Sequence, residues 1–203
     1  MRNIFLIGDE LIAGHGDPKA LGWAGRVAAR TLAVAPDCRF HVLAVPGETT
    51  GELATRWEEE ALRRLAHAEG SDRFAVFAIG RADLRRENHQ RGVSPTMTRL
   101  NIANSLDRAQ ALGFKTMVIG PPPTSGDENQ AVAELAALCE DSASRRGAPY
   151  VDMYGPLVRH EQWQHDMTLG DGSLPLQAGY GLMAWLVLNS TWHDWLGIEA
   201  PAV

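Results

Sequence analysis

The chain has 203 residues, 45% of them apolar and 22% charged, with a formal net charge of -6. This composition excludes intrinsic disorder. A mild acidic excess without a polybasic stripe argues against a nucleic-acid backbone or an anionic membrane surface as the main partner.

No apolar run reaches the roughly 18 residues that a membrane-spanning helix needs. The length fits one domain over residues 1–203. The N-terminal residues run straight into a strand pattern, without the longer apolar stretch and small-residue cleavage site of a secretory signal, so a cytoplasmic protein is expected. Cys38 and Cys139 make no disulfide framework in a chain of this size and lack His or carboxylate partners at ligand spacing. Both are expected as reduced structural thiols, with no metal and no cofactor.

In chain order, near-continuous apolar runs at Ile4–Ile7, Phe40–Val45, Phe74–Ile79 and Thr116–Ile119 predict strands covered on both faces of a parallel sheet. A shorter strand is expected at Pro149–Asp152. Apolar residues spaced three and four apart predict helices over Leu21–Ala33, Thr50–Ala66, Pro95–Leu112, Glu128–Arg146 and Leu176–Leu188, with Gly113 and Gly147 as C-terminal caps. The tail with Trp192, Trp195 and Pro201 is expected to pack across the surface and fray. Alternation of strand and helix along the chain predicts an α/β fold, a three-layer α/β/α sandwich around a five-stranded parallel sheet. Ligands in such sheets sit beyond the carboxyl ends of the strands. Gly8-Asp9-Glu10, Pro46-Gly47, Gly80-Arg81-Ala82-Asp83 and Gly120-Pro121-Pro122-Pro123 each follow a strand, so all four are expected to face one cleft.

Four stretches in order, IFLIGDELIAG, AVPGETTGELATRW, FAIGRADL and DGSLPLQAGYGLMA, resemble the four blocks of the SGNH (GDSL) hydrolase superfamily of esterases, lipases and acylhydrolases. GDPKALGWAGRVAAR and VIGPPP are further similar to a cytoplasmic-type branch of it. The resemblance covers nearly the whole chain and implies a flavodoxin-like sandwich. It also implies an acyl-transfer site made of a serine nucleophile, an oxyanion hole from a glycine and an asparagine, and a histidine base oriented by an aspartate.

Carried over, the nucleophile position is Glu10, the oxyanion glycine is Gly47, the asparagine position is Ala82, the orienting acid is Asp171 and the histidine position is Leu174. Acyl transfer needs a hydroxyl made nucleophilic by an imidazole that later protonates the leaving group. Leu174 can do neither, Ala82 removes an oxyanion donor, and the Glu10 carboxylate opposes a developing oxyanion. Ser173 and Asp83 do not restore a nucleophile and base. The three losses together resemble a pseudoenzyme.

Other residues near the predicted cleft have bland and functional readings. Arg81 is expected to neutralise Glu10 in a structural ion pair. Asp171, with nothing to orient, is expected to cap backbone N–H groups at the start of the last helix, and Asp9 to hold its turn by backbone hydrogen bonds. Of the seven histidines (His15, His41, His67, His89, His160, His165 and His193), only His15 and His165 fall near the cleft by sequence. Arg81, Arg85 and Arg86 form a basic cluster suited to an anion, and Asp9, His15, Asp83 and Pro121 are further candidate ligand contacts. Glu58-Glu59-Glu60 with Arg63-Arg64 reads as a solvated helix face of ion pairs.

Three functions fit these residues. The favoured one is a catalytically silent protein that binds a small molecule or a protein partner in the inherited cleft. The second is an ester hydrolase of the family's usual class working by a non-standard site. The third is a hydrolase in which Glu10 and Asp171 activate water, directly or through a metal.

Overall fold

The computed structural model describes residues 1–66, 68, 70–87, 90–126 and 128–200. His67, His89 and Pro201, named above, lie outside the described residues, as does the side chain of Arg86. Five strands form one parallel sheet in the order β2-β1-β3-β6-β7: β1 is Arg2–Gly8, β2 Cys38–Ala44, β3 Asp72–Ala78, β6 Lys115–Ile119 and β7 Tyr150–Val151. A short antiparallel pair, β4 (Arg86–Glu87) with β5 (Gln90–Arg91), stands apart from it. The helices are α1 (Glu10–Ala13), α2 (Gly22–Val34), α3 (Thr50–Leu65), α4 (Pro95–Ala111), α5 (Asn129–Ser144), α6 (Tyr154–Leu157), α7 (Glu161–Thr168), α8 (Gln177–Leu188) and α9 (Trp192–Leu196).

The pleat sends successive strand residues to opposite faces, and both faces are apolar. Ile4, Leu6, Phe74, Val76 and Met117 pack on one side with residues of α2, α8 and α9. Phe5, Ile7, Ala75, Phe77 and Val118 pack on the other with α3, α4 and α5. Burial on both faces explains the continuous apolar runs of β1 and β3. The expectation of full coverage fails at β2, an edge strand whose Arg39 and Val42 are exposed.

Local chemistry starts and stops the helices. Thr49 and Glu52 form a reciprocal capping box on α3, Thr49 Oγ1 accepting the Glu52 N–H and the Glu52 carboxylate accepting the Thr49 N–H at 2.9 Å. Gly113 closes the turn after α4 at φ 79°, in the left-handed region where glycine carries no Cβ penalty. The acidic stretch of α3 is solvated and ion-paired, Arg63 on Glu59 and Arg64 on Glu60, while Glu58 reaches Arg108 of α4 at 2.7 Å. Cys38 and Cys139 are free and buried.

The tail departs from expectation. Rather than lying on the surface, Trp192 is fully buried, stacked over Phe40 with its indole N–H donating to Thr31 Oγ1 at 3.0 Å. An indole ring buries a large apolar area, so α9 joins the core on the α2 and α8 face of the sheet. No helix among the described residues is long and apolar enough to cross a membrane.

The glycine-rich loop between α1 and α2 turns on Asp17. Its carboxylate accepts the N–H groups of Lys19, Leu21 and Gly22 and pairs with Arg26. The Arg26 hydrogen bond, opposed by burial and reinforced by those N–H groups, lowers its pKa to about 2. A carboxyl more acidic in the folded than in the unfolded chain stabilises above the unfolded pKa and loses that contribution as pH falls toward the folded one. Asp17→Ala is expected to reduce unfolding free energy by about 3 kcal/mol, as breaking a buried, hydrogen-bonded pair does. Urea denaturation at pH 7 measures it, and a loss below about 0.5 kcal/mol contradicts this role.

Candidate functional site

In the sheet order, β1 is followed in sequence by β2 on one side and reached from β3 on the other, the switch point where open parallel sheets hold ligands. The carboxyl end of β1 is forced close to β3: a Cβ on Gly8 would lie 2.0 Å from the Ala78 carbonyl oxygen. Beyond it, Asp9 caps α1 by accepting the Leu11 N–H at 3.1 Å. This confirms the turn-holding role expected of Asp9 and makes Glu10 the first residue of α1.

Glu10 does not meet Arg81. Its Oε2 accepts the backbone N–H of Gly47 at 2.7 Å, so the residue in the nucleophile position occupies the donor at the oxyanion-glycine position. Gly47 is held in the left-handed region at φ 75° in the turn after β2, and its carbonyl accepts Arg85 Nη1 at 3.1 Å. A Cβ there would sit 2.9 Å from Arg85 Nη2, so a side chain would displace the guanidinium. Arg81 instead donates to the Ser173 carbonyl at 2.8 Å, and no ion pair joins it to Glu10 among the described residues. The backbone carbonyl of the last block offers Arg81 a partner that sequence spacing could not reveal.

Glu10, His15, Gly47 and Arg81 line one cleft of about 520 Å³. Ala82, Leu84, Val132 and Leu174 give it aliphatic lining, and Pro46, Arg85, Glu128 and Ser173 line it as well. Ala82 presents a buried methyl at the position where the resemblance implies an amide donor, and Leu174 a half-buried aliphatic side chain where it implies a base. The structure thus gathers the carried-over positions of Glu10, Gly47, Ala82 and Leu174 at one place. Leu84, Val132 and Glu128 were missed by sequence reasoning. Leu84 follows Ala82 in a 3₁₀ turn over Arg81–Leu84, and Glu128 and Val132 lie four apart at the start of α5. That spacing was the available signal.

Four other candidates lie elsewhere. Asp83 turns away from the cleft and is fully buried, its carboxylate accepting the Thr50 N–H and hydroxyl and the Thr98 hydroxyl at 2.7–2.8 Å. It ties the starts of α3 and α4 together. Pro121 borders a separate cavity of about 10 Å³ with Asp9 and Pro122, so the loop after β6 does not share the main cleft. Asp171 is exposed and accepts the Ser173 N–H and hydroxyl at 2.9 and 2.6 Å. The acid that caps α8, where the last helix was expected, is Asp166, whose Oδ2 accepts the Leu176 and Gly179 N–H groups at 2.7 and 2.9 Å. It projects from α7, an element whose short apolar spacing gave no clear helical signal. His165, on the same helix, is exposed and lies outside the cleft lining. Glu10 and Asp171 therefore engage different loops and share no hydrogen-bond partner among the described residues. Among those residues, no three His, Cys, Asp or Glu side chains converge to hold a metal ion.

Beneath the cleft, burial pushes the Asp9 carboxyl up to about 7, and the neighbouring Glu10 charge adds to the shift. The Leu11 N–H and the Arg81 charge oppose it.

Residues 6–182 match the GDSL-like lipase/acylhydrolase family model, and the chain belongs to that family. No curated protein matches it. Among solved structures it is similar to a lipase/acylhydrolase from Enterococcus faecalis, 20% identical over 100% of both chains with a TM-score of 0.77. A member of the lipolytic G-D-S-L family from Veillonella parvula is 18% identical over 93% of this chain and 97% of its own, TM-score 0.75. A catalytic mutant of an acetylxylan esterase from Geobacillus stearothermophilus is 17% identical over 95% of each, TM-score 0.74. At these identities the likeness establishes a shared fold.

An acid harder to ionise when folded holds an extra proton in the folded state between its two pKa values, so stability falls as pH rises through that window. The wild type is therefore expected to lose thermal stability relative to Asp9→Asn between pH about 4 and about 7. Asparagine keeps the oxygen that accepts the Leu11 N–H. Melting curves across that range test this, and parallel profiles for the two proteins contradict it.

Proposed function

We propose that the protein is a catalytically silent member of its family that binds a small molecule in the inherited cleft. The observation that carries this reading is the Glu10 carboxylate seated on the Gly47 N–H at 2.7 Å. An oxyanion hole works because its donors are empty until negative charge develops in the transition state. Here the donor is filled in the resting protein by a group already negative. An incoming carbonyl would have to displace a charge-assisted hydrogen bond and then develop its own charge beside a carboxylate.

The remaining positions compound the loss. Removing one oxyanion donor costs roughly 10²–10³ in kcat where measured, and Ala82 has no side-chain donor. Leu174 cannot shuttle a proton, and Ser173 spends its hydroxyl on Asp171, a weak base whose pKa is lowered by that same bond. The cleft survives as a concavity, and about 520 Å³ lies within the usual range of small-molecule sites.

Hydrolysis of p-nitrophenyl acetate and butyrate provides the test. Native protein, Glu10→Ala and Glu10→Ser are expected to show no turnover above the uncatalysed rate, because none has a base beside the nucleophile position. The triple variant Glu10→Ser, Ala82→Asn, Leu174→His is expected to gain measurable turnover. Native turnover that disappears in Glu10→Ala contradicts the reading and makes Glu10 a working catalytic group.

A further inference from the structure

The cleft carries four charged side chains, two of each sign: Glu10 and Glu128, Arg81 and Arg85. Among the described residues no ion pair joins any two of them. This chain does pair such groups elsewhere, as where Arg56 bridges Glu48 at 2.6 Å and Glu60 at 2.9 Å. In the cleft three of the four are held apart by backbone. Gly47 fixes Glu10 on its N–H and Arg85 on its carbonyl, so one residue keeps a carboxylate and a guanidinium on its two sides. Ser173 fixes Arg81 by its carbonyl.

Each anchor leaves hydrogen-bonding capacity unused. Glu10 Oε1 has no hydrogen-bond partner among the described residues. A guanidinium has five N–H donors in a fork that matches a carboxylate, and Arg81 and Arg85 each commit one group of them to a carbonyl. The same cleft is also lined by the aliphatic side chains of Ala82, Leu84, Val132 and Leu174.

Resting on the reading that the cleft binds rather than hydrolyses, we propose that it takes a small zwitterion with an apolar body, an amino carboxylate of the leucine type. The ligand's carboxylate lies on Arg81 and Arg85, its ammonium on Glu10 and Glu128, and its side chain against Leu84, Val132 and Leu174. Electrostatic complementarity selects this class. A dianion meets the two glutamates, a simple amine meets the two arginines, and an uncharged ester desolvates all four charges without compensating any of them. The replacement of a histidine position by Leu174 then has a use, since it extends the apolar wall.

Isothermal titration calorimetry on the full chain tests the proposal with three probes that share one carbon skeleton: L-leucine, 4-methylpentanoate, which lacks the ammonium, and 3-methylbutylamine, which lacks the carboxylate. L-leucine is expected to bind at least about tenfold tighter than either half-ligand. Arg85→Ala is expected to erase the advantage over the amine, and Glu10→Gln, which keeps an acceptor for Gly47, the advantage over the acid. The native-protein comparison decides the matter even if a variant fails to fold. Half-ligands that bind as well as L-leucine, or L-leucine that does not bind, overturn the proposal. The ester assay on the same protein separates the two readings: silence without leucine preference sinks this inference alone, whereas ester turnover sinks the reading beneath it.

Discussion

A backbone N–H donates one good hydrogen bond, and at Gly47 that bond goes to Glu10. The rest of the cleft is arranged around this commitment. Gly47 reaches its position only in the left-handed region, and the carbonyl on its other side anchors Arg85. Because Glu10 is the first residue of α1, directly after the Asp9 cap, its side chain reaches the turn after β2 and meets the Gly47 N–H. A serine side chain is shorter and would leave the donor open; a glutamate is long enough to reach it. On the proposed reading, the carboxylate at position 10 is an unsuitable group for acyl transfer and also fills a donor that reaction would use.

The scaffold beneath is intact because it depends on other residues. Sheet faces packed by Ile4, Leu6, Phe5 and Ile7 need no chemistry at the strand ends. The loops that form the cleft are held by carboxylates facing backbone: Asp17 on the loop before α2, Asp83 between α3 and α4, and Asp166 on the start of α8. Buried acids satisfied by several donors are costly to lose and specify loop geometry. The residues that line the cleft and the acids that hold its loops are thus different residues.

Much of this was legible in the sequence. Apolar runs in β1, β3 and β6 marked a buried parallel sheet because both faces of those strands are covered, and strand-end positions placed Glu10, Gly47, Ala82 and Arg81 together. The edge strand β2 misled, since its apolar residues are half exposed. Side-chain partners were not readable, because they depend on distances across loops of different blocks: Arg81 chose a carbonyl of the last block over Glu10, and Asp166 rather than Asp171 capped α8. The short helices α7 and α9 carry too few turns to show a period, so the burial of Trp192 was invisible. Asp83 sits beside the cleft in sequence but points away from it, a direction set by the 3₁₀ turn over Arg81–Leu84.

The account stands on the hydrogen bond between Glu10 and Gly47, and the Gly47 amide resonance reports on it directly. In ¹H–¹⁵N spectra of the native protein that amide proton is expected to be shifted downfield and slow to exchange, as a short charge-assisted hydrogen bond requires. In Glu10→Ala it should move upfield and exchange faster while resonances of β1 and β3 stay in place. A Gly47 amide whose shift and exchange are the same in both proteins would show that the donor is not held by Glu10, and the proposal of a catalytically silent cleft would lose the observation that carries it.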